Sequence, residues 1–430
     1  MKKNNFYLNI ILLVLLISGC QDKTYEEYWV NEPVYLSYDD LRSSIQETDE
    51  QPLVLPGKIY FKDNYLFINE LMKGVHVYDN TNPETPAYKT FIKIPGNVDI
   101  AIKGDLLYAD SYIDLVAINI SSIDQPKEKH RIKNVFNYTV PETQNNYRIG
   151  NIDYSKGVVL DWNVKEVKEE VVEDDYPIYY DVVYSADYAL INSASRGVTA
   201  QSTNTAGIAG STARFMLYNN FLYTINQGWY IAIYDITTPE LPLAQNGFYP
   251  NNTAETLFIK DDLLFIGGQS GMQIFSLNNP AEPQYISGYS HITACDPVVV
   301  NDDYAFVTLR SNNFCGGNTN QLDVINIQNI ESPQLRNSLA LTNPHGLGVD
   351  RDFLFICDGD EGLRVFDATE PEQMGLSNQL KQFNDIHAVD VIPLGDVLLT
   401  IGNDGFYQYD YTNINDMKLL SHIEVTASED

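Results

Sequence analysis

RDFLFICDGDEGLRVFDATEPEQ, residues 351–373, decides the fold of this chain. It holds a continuous apolar run at 353–357, a break rich in Gly and Asp at 358–362, and a second run at 363–367. A turn containing Pro371 closes the unit. Short apolar runs bounded by such punctuation predict strand, tight hairpin, strand and exit turn. The Asp358-Gly359-Asp360-Glu361-Gly362 break is acidic, but it lacks the twelve-residue ligand pattern of a Ca²⁺ loop, so it is read as a hairpin turn.

The second run has siblings along the chain. They are VHVYD (75–79), LVAIN (115–119), IAIYD (231–235), MQIFS (272–276), LDVIN (322–326), LRVFD (363–367) and FYQYD (406–410). Their last residues lie 40, 116, 41, 50, 41 and 43 apart. A repeat of roughly 40–45 residues with several short strands per unit is the signature of propeller blades. In the sixth unit the four strands are predicted at 346–349, 353–357, 363–367 and about 375–383. Pro83, Pro86, Pro239, Pro242, Pro280, Pro283, Pro333 and Pro371 follow the third strands. Proline suits such turns because it cannot donate to a central ladder and presets φ. The expected fold is therefore all-β, a β-propeller of seven four-stranded blades with an insertion after the second blade.

The one long spacing equals a unit plus about 76 residues, roughly 139–212. It holds either two degenerate blades or one insertion. Its content favours insertion: VVLDWNVKEVKEEVVEDDY lacks the repeat grammar, and SASRGVTAQSTNTAGIAGST is rich in small polar residues. Val164, Val167 and Val171 alternate with charges and fit a strand pair or a short helix. The expected organisation is an export signal at 1–19, a tether and N-terminal segment at 20–52, and the propeller at 53–430. Within 20–52, Leu36, Leu41 and Ile45 fit one helical face while Val34 to Leu36 fit an edge strand, and periodicity does not choose.

Bulk composition supports a folded β protein: 44% hydrophobic and 20% charged residues, with 30 Tyr and 18 Phe suited to pleated surfaces. A formal net charge of −31 excludes nucleic acid as a partner, since little here neutralises phosphates. The charge is read as a solubilising surface, although it is also compatible with cation binding.

Lys2 and Lys3 precede an apolar segment at about 10–17, and Ile17-Ser18-Gly19-Cys20 follows. This is an export signal, too short and too early for an ordinary membrane span. The last four residues look like a bacterial lipobox, with Ile17 in place of the usual Leu. That resemblance implies acylation of Cys20 and a membrane partner through an N-terminal lipid anchor. The following QDKTYEE resembles the tether of some surface lipoproteins of Bacteroidetes-like bacteria, implying an outer-membrane lipoprotein on the periplasmic or the surface side. The repeats themselves resemble the LVIVD-repeat family, with LDVIN, LVAIN and IAIYD carrying the likeness over about 57–425. It implies a β-propeller found mostly in exported or surface proteins of bacteria, and no defined activity.

In a propeller the loops leading into the innermost strand and those joining the second and third strands share one end of the channel. The first group comprises Asn97, Asp99, Thr212, Glu255, Asp296, His345 and His387; the second comprises Glu70, Asp110, Asp114, Asn226, Arg310, Asp358 and Asp360. From these, Asp99, Glu255, Asp296, Arg310, His345, His387 and Asp358 form a candidate ligand site at the channel mouth. Imidazole with carboxylate would suit a divalent cation such as Zn²⁺ or Mn²⁺. The opposing reading is that polar groups lining a wet channel satisfy one another. Arg310 suits an anionic ligand. Cys295 and Cys315 fall in one unit and are candidates for a disulfide in an oxidising envelope, worth about 3 kcal/mol by loop closure. Cys357 ends an apolar strand and reads as a small buried hydrophobe.

No GxSxG, HExxH or phosphate-cradling Gly loop with Lys occurs. The expected function is a binding or scaffold module for a protein or glycan partner. The alternatives are an envelope hydrolase or lyase using the polar ring, and a propeller holding a structural divalent cation.

Overall fold

The computed structural model describes residues 25–170, 208–209, 211, 213–226, 228–291, 297–311 and 319–426. Strands dominate, and the only α-helix among these residues is the single turn Tyr38–Leu41. Six antiparallel sheets have four strands in simple meander order, and a seventh has six. In chain order the meanders span 56–93, 100–132, 215–244, 256–290, 298–340, 347–383 and 388–424. They are called sheets one to seven below.

Local chemistry explains each meander. The second and third strands are buried on both faces, as in Leu66–Ile68 and Val75–Val77, because each sheet is sandwiched between two others. The fourth strand is the rim: in sheet seven Lys418–Glu424 is exposed or half-buried throughout. Where the fourth strand is long enough to pair fully, its pairing with the third carries a bulge at an equivalent place, as at Val77/Tyr78, Val324/Ile325 and Val365/Phe366. Gly362, at φ +78°, opens the third strand of sheet six, where an added Cβ would lie 1.7 Å from the Phe383 carbonyl oxygen. Gly74, Gly271 and Gly405 occupy the same position in their sheets. At the other end of the strand, Asp367 accepts from the backbone and hydroxyl of Thr369 and starts the exit turn. The Asp79–Thr81 and Asp410–Thr412 pairs repeat this device.

Sheets pack face to face in chain order, giving a propeller-like arrangement. Polar ties run from one sheet to the exit turn of the next. Tyr108 Oη donates to the Pro239 carbonyl at 2.8 Å, Tyr223 Oη to Pro280 at 2.6 Å, and Asn337 Nδ2 to Met374 at 2.6 Å. The last sheet meets the first by the same rule. Gln408 Nε2 donates to the Pro83 carbonyl at 3.2 Å and exchanges two 2.8 Å bonds with Asn80. Ile59, Leu66 and Ile68 of sheet one pack with Ile392, Leu399 and Ile401 of sheet seven.

The stretch between sheets two and three departs from the repeat, and it joins the N-terminal segment. Tyr25–Leu36 pairs antiparallel with Val158–Glu170 over its whole length, and parallel with Arg148–Ile149. The Leu36/Leu41/Ile45 helix is thus confined to one turn, capped by Ser37, with strand on either side. Gln46–Thr48 extends the outer edge of sheet one, and Ile208–Ala209 pairs with Phe61 and Tyr60 on its inner, axial edge. Val164 and Val167 lie in strand, not helix, and Val171 lies outside the described residues. Val140, Ile152, Val159 and Trp162 form a small separate core under the added sheet.

Candidate functional site

The loops between second and third strands gather at one end with the connections that lead into the innermost strands. At this end the structure repeats a carboxylate clamp. In sheets one, two and six the second strand runs into a carboxylate that accepts from the incoming connection. Glu70 accepts the Val54 and Leu55 N–H groups at 3.0 and 2.9 Å. Asp110 accepts those of Val98 and Asp99 at 2.8 and 3.0 Å, and Asp358 those of Thr342 and Asn343 at 3.0 and 2.8 Å. Two consecutive amides on one carboxylate fix the chain's path into the next strand. Asp358 is also buried against Arg364 at 2.7 Å. It therefore anchors a loop, and the 358–362 break closes as a turn through its own backbone bonds.

The electrostatics of these clamps differ. Burial pushes the Glu70 carboxyl up, but bonds from His76 and the two amides, with Lys73 nearby, outweigh it and hold the group below its usual range. Burial dominates at Asp110, with the Asp99 charge adding to it. The two amides and Arg214 oppose that push only in part, so the carboxyl is raised to about 6. All three short donors to Asp110, including Asn97 Nδ2 at 2.8 Å, use the same oxygen, Oδ1.

Beside this clamp, Lys58 Nζ lies 2.5 Å from Asp99 Oδ2, and both side chains are buried. The same oxygen accepts the Arg214 amide at 2.7 Å, while Arg214 Nη2 donates to the Ile225 carbonyl. Asp99 thus ties the innermost strands of sheets one, two and three together. Lys58 and Arg214 escaped sequence reasoning, although each sits at the start of an innermost strand, the position that singled out Asp99.

Farther round, Arg310 Nη1 lies 2.9 Å from His345 Nδ1. A guanidinium only donates, so the facing imidazole nitrogen accepts. Burial lowers the Arg310 guanidinium to about 10, against the pull of the nearby Glu255 charge. Glu255 is itself buried. His387 lies elsewhere, exposed, with its Nδ1 3.0 Å from the exposed Asp360. The two histidines therefore have different partners. Among the described residues no group of three or more His, Cys, Asp or Glu is placed to hold a metal ion. Asp296, Thr212, Cys20 and the Cys295–Cys315 pair lie outside the described residues. Cys357 is buried in the core between sheets six and seven.

Beside the exposed His387, Asp360 and Lys73, this end presents two large aromatic side chains to solvent. Trp229, in the loop between the second and third strands of sheet three, is 62% exposed, and Tyr249, in the connection to sheet four, is 76% exposed. Tyr249 packs on Tyr230 with ring centroids 5.0 Å apart. Tyr230 is fixed by a 2.9 Å bond from the Gly247 amide to its Oη. A Cβ at Gly247 would lie 2.2 Å from the Ile231 carbonyl oxygen, so glycine is needed there. At the opposite end, a groove of about 550 Å³ lies between sheets five and six, lined by Lys260, Asp303, Asp350 and Arg351. A smaller one of about 300 Å³ lies between sheets one and two. Their equivalent positions make both valleys of the architecture.

No protein-family model matches the chain, and no curated protein matches it. Among solved structures, the computationally designed Ika8 protein is 10% identical over 88% of this chain and 93% of its own, with a TM-score of 0.48. Hsv2 of Kluyveromyces lactis is 10% identical over 88% and 100%, with a TM-score of 0.49. BamB of Moraxella catarrhalis is 9% identical over 92% of each chain, with a TM-score of 0.47. At these scores the architecture rests on the chain's own sheets and their packing.

Proposed function

We propose that the chain is an envelope lipoprotein of the LVIVD-repeat kind, a seven-bladed propeller acting as a binding or scaffold module. Its partner is engaged at the end that carries the strand-two-to-three loops. The observation behind this reading is the contrast at that end. Lys58, Asp99, Asp110 and Asp358 are buried and committed to the scaffold, whereas Trp229 and Tyr249 are presented to water. Exposed aromatic residues on rigid supports are what binding hot spots are made of. A hydrolytic centre built on the polar ring would need those carboxylates free to meet substrate, and their hydrogen bonds point into the protein.

The seven meanders and the Gln408–Asn80 contact between last and first support the seven-blade reading. The signal-like segment and the lipobox resemblance at Cys20 support the envelope address. The test is a Trp229→Ala/Tyr249→Ala double variant of the acylated protein, used in affinity capture from solubilised native envelope. The expected result is loss of the wild-type protein's reproducible partner with an unchanged melting temperature. Retention of that partner at wild-type yield contradicts the proposal.

A further inference from the structure

A long two-stranded ribbon is rooted on the binding end. Tyr25–Leu36 and Val158–Glu170 stay in register from Tyr25↔Glu170 to Leu36↔Val158, interrupted by one irregularity at Val34/Tyr35. Cross-strand pairs brace it: Lys168 with Glu27, Tyr28 with Glu169, and Arg148 with Glu26. At about 3.3 Å per residue, twelve paired residues make a ribbon of about 40 Å. Its root is on the binding end. Leu41 and Val158 bury against Tyr112, with Leu36 and Met72 beside them; Met72 and Tyr112 are the positive-φ tips of the strand-two-to-three loops of sheets one and two.

An ionic clip locks this root. Arg42 Nε lies 3.0 Å from the fully buried Asp114 carboxylate, which also takes Arg131 at 3.2 Å and the Asn134 amide at 2.9 Å. The other end of the ribbon reaches water: Tyr25 and Trp29 are 49% and 45% exposed. Only five peptide steps separate Tyr25 from Cys20, a reach of at most about 18 Å.

We infer that the propeller is mounted with its Trp229/Tyr249 end toward the bilayer that holds its lipid, so its partner is a protein rising from that same membrane. This rests on the lipoprotein reading above. The bilayer itself is a poor occupant of the gap. A chain of net charge −31 is repelled by an anionic lipid surface.

The test uses the full acylated chain in vesicles containing acceptor-labelled headgroups. A genetically encoded fluorescent amino acid replaces either Asp360, exposed on the binding end, or Glu84, exposed in the exit turn of sheet one at the other end. Six-residue strands separate the two ends by about 20 Å. The Asp360 label should therefore transfer energy at least about twofold more efficiently than the Glu84 label. Equal transfer, or a closer Glu84 label, overturns the orientation alone. Mass spectrometry showing no acyl group on Cys20, with vesicle binding unchanged in Cys20→Ser, overturns the anchor and the orientation together.

Discussion

Replacing Asp110 with Asn isolates the cost of one buried charge. In the unfolded chain this carboxyl titrates near 3.9; in the fold, burial raises it to about 6. A carboxyl raised by folding favours the native state in its neutral form. Its contribution is fully present below about pH 3.9 and is lost as pH rises through about 6. The gap corresponds to about 3 kcal/mol at pH 8, an upper figure for what removing the charge can return. Asn keeps the acceptor that matters, because Asn97 Nδ2 and the Val98 and Asp99 amides all use Oδ1. D110N should therefore be more stable than wild type at pH 8, by up to about 3 kcal/mol. For a chain of this size that is a melting-temperature rise of about 4 °C. The advantage should shrink as pH falls from 6 toward 4. Thermal unfolding of both proteins across pH 4–8 measures it. A D110N protein equally destabilised at pH 5 and pH 8 refutes the reasoning, and shows that the carboxylate's bonds, not its charge, decide.

Gln408→Ala removes the tie between the last and first sheets and leaves the buried Asn80 amide without its partner. A loss of about 2–4 kcal/mol is expected in chemical denaturation. Asp358→Ala takes the carboxylate from the buried Arg364 guanidinium, which keeps only Gln379, and from two loop amides, so a loss of about 3–5 kcal/mol should accompany faster hydrogen exchange at Thr342 and Asn343. Arg42→Ala leaves Asp114 its Arg131 and Asn134 contacts, so global stability should fall by only about 1–3 kcal/mol. Hydrogen exchange in Tyr25–Leu36 should rise in that variant while exchange in sheets three to seven stays as in wild type.

The repeated parts of this molecule were legible in the sequence because their causes are local. Gly362, the apolar Leu363–Asp367 run and the Asp367–Thr369 turn lie within eight residues of one another, and siblings elsewhere in the chain repeat the message. The added sheet was not legible. Tyr25–Leu36 and Val158–Glu170 are partners more than 120 residues apart, with no second copy to betray the pairing. The polar ring was half legible. Position along the unit picked out Asp99, Asp110 and Asp358 as neighbours of one end. Residue type alone could not say that their oxygens turn toward backbone amides and Lys58 instead of toward solvent. Trp229 and Tyr249 carry no charge or motif, and their exposure comes from a loop path held by Tyr230 and Gly247.

Under the proposed function, partner binding belongs to the end bearing Trp229. A photo-crosslinking amino acid placed at Trp229, and separately at Glu84 on the opposite end, tests it in living cells of the native host. Crosslinking of the same partner at Trp229 and its absence at Glu84 is the predicted result. Efficient crosslinking at Glu84 with none at Trp229 contradicts it.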